Sequence, residues 1–180
     1  MTKYAKIMST FGVLAGLGVA SLPLATFAAT TSETTVKVTV QEGVSIANDN
    51  STADAGNKTP GEAGTATSNL TAATNNATGL SITVKDKDED TSLKPTTATG
   101  SIAGVDFIPT GTSGTGTWSL KGGALTVDTA MVPASATPLT VKNTSSPSTE
   151  EVTMTYRIEP GAAQRQGTYE DVIVYTVAKN

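Results

Sequence analysis

The segment "DKDED" sets Asp86, Asp88 and Asp90 at alternate positions. Clustered carboxylate oxygens are what Ca²⁺, a hard cation, takes up. An EF-hand loop starting at Asp86 would need Gly at its sixth position and Glu at its twelfth. Those positions hold Thr91 and Thr97, so that loop is excluded. The remaining readings are a Ca²⁺ site of another design and a solvated hairpin end. Trp118 follows a Gly-rich loop and offers a face on which a sugar could stack. Its alternation with Leu120 favours a plug in the core, because the chain has few other large apolar side chains. Catalysis finds no footing. There is no His for general base work and no Cys nucleophile. No Ser sits in a nucleophile motif. Glu150 and Glu151 are neighbours on a strand, so they project to opposite faces. The expectation is a protein that is not an enzyme, with no catalytic residues and no cofactor beyond the candidate Ca²⁺. Lys37 and Asn180 are the residue types of an intramolecular Lys–Asn isopeptide bond, but Lys37 points away from its apolar neighbours, toward water. Tyr156, Tyr169 and Tyr175 read as structural, with Tyr169 placed to hydrogen-bond across a sandwich corner.

These residues must be positioned by strands. "TTVKVTV" (Thr34 to Val40) alternates, with Val36, Val38 and Val40 on one face. That is the pattern of a half-buried strand, and Val44 and Ile46 extend it past Gly43. Asn48 to Gly64 is polar and reads as a mobile loop. Thr65 to Thr74 and Gly79 to Asp86 alternate on either side of the turn "NNATG" and predict a hairpin. Ile102, Val105, Phe107 and Ile108 mark a short apolar segment. Thr117 to Asp128 holds two short strands around Gly122 and Gly123, and Pro138 to Lys142 holds another. In "EEVTMTYRIEP" (Glu150 to Pro160), Val152, Met154, Tyr156 and Ile158 face inward. The last strand, in "GTYEDVIVYTVAKN", is apolar on both parities, so it is expected to be covered on both faces and paired with the Glu150 to Glu159 strand. No segment after residue 29 keeps a 3.6-residue period. About eight to ten short strands, punctuated by Gly, Pro, Asn and Ser, predict an all-β, antiparallel β-sandwich, immunoglobulin-like in its Tyr corner.

The first 29 residues have the grammar of a secretory signal: Lys3 and Lys6, an apolar run from Phe11 to Leu24, and small residues in "ATFAAT". The run falls short of the ~20 residues of a membrane span and is interrupted by Gly and Pro. We therefore expect residues 1–29 to be a cleaved signal, after Ala28 or Ala29, with residues 30–180 forming one domain without a transmembrane segment. Losing Lys3 and Lys6 leaves 10 Lys+Arg against 16 Asp+Glu, a net charge of −6. Acidity of this order argues against nucleic acid, whose phosphates need basic patches. An exported domain without Cys has no disulfides and must rely on its core and sheets. Bacterial export suits that better than an oxidising eukaryotic lumen.

The stretches "SNLTAATNNATGLSITVKDKDEDTSL", "VPASATPLTV" and "GTYEDVIVYTVAKN" resemble small secreted β-sandwich proteins of ultrasmall candidate-phylum bacteria and some Gram-positive relatives. The chain is also distantly similar to the WxL domain of Gram-positive surface proteins. "WSL" (Trp118 to Leu120) matches the first Trp-x-Leu; where the second would stand, the chain reads Tyr175-Thr176-Val177. The WxL resemblance implies non-covalent attachment to peptidoglycan, with Trp118, Leu120 and Tyr175 as the envelope-binding or ligand-binding residues. The function expected is thus a secreted, cell-surface structural or adhesive domain, with peptidoglycan, another surface component or itself as partner. A self-assembling surface-layer or pilus-like subunit is the first alternative, its edge strands pairing between copies. A secreted carbohydrate-binding module is the second.

Overall fold

We describe the protein from a computed structural model, which places residues 32–88, 90–96, 108–112, 114–131 and 138–180. The chain divides into two units, residues 1–39 and 40–180. In the first, the described residues 32–39 form no strand and are exposed. The expected signal, residues 1–29, lies outside the described residues, as do Ile102, Val105 and Phe107.

The second unit is all-β, with no helix among its described residues. Its described residues form ten strands: β1 (Val44–Asn48), β2 (Gly64–Thr74), β3 (Leu80–Asp86), β4 (Lys94–Pro95), β5 (Thr117–Gly122), β6 (Leu125–Thr129), β7 (Leu139–Asn143), β8 (Ser148–Glu159), β9 (Tyr169–Glu170) and β10 (Ile173–Lys179). A five-stranded sheet runs β1-β2-β8-β5-β6, and a three-stranded sheet runs β10-β3-β7. β4 and β9 form a two-stranded ribbon. Every strand pairing is antiparallel. The architecture is the expected antiparallel β-sandwich.

The period of two decides what is buried. β2 buries Ala66, Leu70 and Ala72 and turns Thr65, Thr67 and Thr71 to water. β3 contributes Leu80, Ile82 and Val84, and β8 contributes Val152, Met154 and Tyr156. Trp118 and Leu120 of β5 and Val141 of β7 complete the packing between the sheets. Thr on the wet faces suits strands through its branched Cβ.

Three expectations are corrected. The β2–turn–β3 hairpin does not form: β2 and β3 sit in opposite sheets, and Asn75 to Gly79 carries the chain between them. Gly79 makes the crossing with φ +85, and a Cβ there would lie 2.3 Å from the Thr144 carbonyl oxygen. The last strand pairs with β3, from Ile173 opposite Asp86 to Lys179 opposite Leu80, and not with β8. β8 has no free edge, because β2 and β5 occupy both its sides. The first strand is not Thr34 to Val40. Pairing begins only at Val44, and Val36, Val38 and Val40 are 93%, 83% and 77% exposed. Alternation gives a segment the faces of a strand; a strand exists only when an edge is there to bond it.

The loop after β1 has no strand, as expected, but it is tied to the sheet. Asp49 accepts from the backbone and side-chain amides of Asn69, both at 2.7 Å, and Gly61 donates to Pro160 O at 2.8 Å. Ala53 and Ala55 pack against the core. Tyr169 Oη donates to Arg165 O at 2.7 Å, the corner contact its position predicts. The terminal Asn180 is anchored: its side-chain amide donates to Leu80 O and Thr144 O at 3.0 and 2.6 Å.

Candidate acidic site where β3 meets β10

β3 ends at Asp86, and β10 is preceded by Asp171; pairing of Asp86 with Ile173 brings the two together. Lys87 N donates to Val172 O at 2.9 Å and extends the ladder one step beyond the strands. One carboxylate oxygen each from Asp86, Asp88 and Asp171 lies within 4.8 Å of the other two. Asp86 is fully buried. Its Oδ1 accepts from Asp88 N at 2.8 Å, and Asp171 Oδ1 accepts from Val172 N at 2.7 Å. Asp86 Oδ2 and Asp171 Oδ2 are buried and meet no donor among the described residues.

The electrostatics follow from this crowding. Burial, and then the neighbouring Asp86 carboxyl, push the Asp171 carboxyl up to about 7. Burial likewise raises Asp86. Asp88 behaves oppositely. Lys94 Nζ sits 2.9 Å from its Oδ2 and holds its carboxyl below the usual range. The cluster opens on a groove of about 250 Å³ lined by Lys87, Asp88, Lys94, Glu170, Asp171 and Val172.

The triad differs from the expected one. Asp90 is outside it: its Oδ1 accepts from Ser92 N at 3.1 Å, and its Oδ2 lies 3.8 Å from Lys94 Nζ. Asp171 takes its place. The signal was present in the acidic pair Glu170–Asp171 just before an apolar strand, but only the β3–β10 pairing gives it meaning.

The other expected site residues face inward. Trp118 is 3% exposed and Leu120 is fully buried. Trp118 Nε1 donates to Thr91 O at 2.8 Å. Tyr175 is half-buried, and burial pushes its phenol pKa up. Its hydroxyl is 2.8 Å from that of Tyr156, which is 2.9 Å from Ser68 Oγ. An envelope-binding role for Trp118 and Leu120 does not fit this burial: they plug the core, and Tyr175 belongs to a hydroxyl chain between the sheets. Among the described residues no helix is long and apolar enough to cross a membrane. No protein-family model matches the chain, and no curated protein matches it.

Proposed function

We propose that the chain is an exported structural protein of the cell surface, whose domains join through the Thr34 to Val40 arm of one copy and the β10 edge of the next. The observation behind this reading is an arm with the alternation of a strand and, among the described residues, no strand partner, its three valines more than three-quarters exposed. Such a segment is unsatisfied by itself and satisfied by an open sheet edge.

β10 offers that edge. It bonds β3 on one side, and no strand among the described residues is hydrogen-bonded along its other side, although β1 comes near it. Its apolar side chains are also under-covered for a strand apolar on both parities. Ile173, Val174, Tyr175 and Val177 are only half-buried, and Val172 is 53% exposed. The arm is held at its root. Asn75 accepts from Gly43 N at 2.7 Å and donates to Gln41 O at 2.8 Å, and Lys179 Nζ pairs with Glu42 at 2.8 Å. This leaves the residues before Gln41 to reach a neighbour. Burial of Trp118 and Leu120 takes away the surface on which a wall-binding reading drew, so assembly is favoured over it.

The test is light scattering on the chain from Thr30 across a concentration series, beside a V36D/V38D/V40D variant. The native arm should give oligomers whose mass grows with concentration. The variant should be monomeric with an unchanged melting temperature, because the valines it loses are exposed. A native chain that stays monomeric into the millimolar range overturns the reading.

A further inference from the structure

We propose that Asp86, Asp88 and Asp171 form a Ca²⁺ site at the junction of β3 and β10. An acidic cluster alone says little, since surface carboxylates crowd without binding anything. Here a second observation points to a ligand. Asp86 is completely buried, and its Oδ2 and that of Asp171 have no hydrogen-bond donor among the described residues. Buried carboxylate oxygens left this way are strongly disfavoured unless a cation or a shared proton lies between them.

The donor chemistry selects the cation. All three groups are carboxylates, which suit hard ions such as Ca²⁺, Mg²⁺ and Mn²⁺, not the softer metals that seek His or Cys. Oxygens that share one Ca²⁺ at 2.3–2.6 Å stand no more than about 5 Å apart, and this set falls within 4.8 Å. Mg²⁺ holds its ligands at about 2.1 Å in a strict octahedron and gives up water reluctantly. Three carboxylates on a strand end, a turn and a separate strand junction supply fewer oxygens than Ca²⁺ takes, so water must complete the shell. The groove at Lys87, Lys94 and Glu170 gives water access. Lys94 is the competing charge: its ammonium rests on Asp88 Oδ2 and must give way when Asp88 turns to the ion. That competition places the affinity at the weak end, with Kd in the range of about 10⁻⁴ to 10⁻³ M seen for extracellular Ca²⁺ modules. The site is independent of the arm, so either proposal stands if the other fails.

The experiment is calorimetric titration of CaCl₂ into chelator-treated protein, with melting temperature followed in parallel. It is run at about pH 8, above the carboxylate range, so that no proton bridges the pair. Saturable one-to-one binding and a raised melting temperature are expected for the native chain. D88N, at an exposed position, and D171N should bind roughly 10- to 100-fold more weakly or not at all, a loss that even an outer-shell partner can cause. The native chain decides the matter even if D171N fails to fold. No heat and no thermal shift up to about 10 mM Ca²⁺, far above the expected range, overturns the site. Equal binding of MgCl₂ overturns the choice of Ca²⁺, and unchanged binding in D88N and D171N overturns the choice of ligands.

Discussion

Among single residues, Asp171 should leave the clearest trace in bulk behaviour. Its carboxyl titrates near 7 in the folded protein and near 4 when unfolded. Between those values the folded state holds the proton more tightly, so the proton contributes stability below about pH 4 that is lost as the pH rises toward about 7. In chelator, urea midpoints of the native chain should therefore fall across that window, whereas D171N should be flatter there. A native midpoint that climbs from pH 5 to pH 7 would contradict the shared-proton account of the metal-free pair. Asp86 adds to the trend in the same direction, since burial raises it too. Asp88 opposes it, because Lys94 favours its charged form. The carboxylates "DKDED" were legible as cation-seeking in the sequence. Which of them converge was not, because convergence depends on a strand almost at the other end of the chain.

At the level of elements, alternation was a reliable guide to faces and a poor one to partners. Ala66, Leu70, Ala72, Leu80, Ile82, Val84, Val152, Met154 and Tyr156 all point inward as their spacing predicts. The period of two is a property of the strand itself, so it can be read locally. Sheet membership is a property of pairs. "NNATG" looks like a hairpin turn, yet it bridges the two sheets, because β2 finds its neighbours in β1 and β8. Gly79 is where that choice is enforced. G79A would place a methyl on the Thr144 carbonyl in a backbone conformation that L-residues avoid. It should destabilise the domain by more than about 1 kcal/mol in urea unfolding, without altering the far-ultraviolet spectrum of the folded state. A neutral effect would mean that the crossing is made elsewhere. The Val36 to Val40 segment shows the same limit from the other side: its faces are plain in the sequence, and its partner is not.

For the molecule as a whole, connectivity sets the pace of folding. β2 must find β8, and β3 must find β10, across most of the domain. Loop closure of that length precedes the contacts that reward it, and sandwiches so built fold in milliseconds to seconds. Trp118, the lone Trp and buried between the sheets, reports on this directly. Stopped-flow refolding followed by its fluorescence should show a main phase slower than about 1 ms, and a microsecond phase would be at odds with the topology. The oxygens of Ser68, Tyr156 and Tyr175 have a further consequence for such slow pairing. They come from β2, β8 and β10, so they meet only when the large sheet is in step internally and the small sheet is in step with it. If β8 slid one position along β2, Thr155 or Arg157 would turn inward and Tyr156 outward, and the line would be cut at its middle. The three hydroxyls thus act as a vernier between two rulers, marking the one alignment at which every graduation coincides.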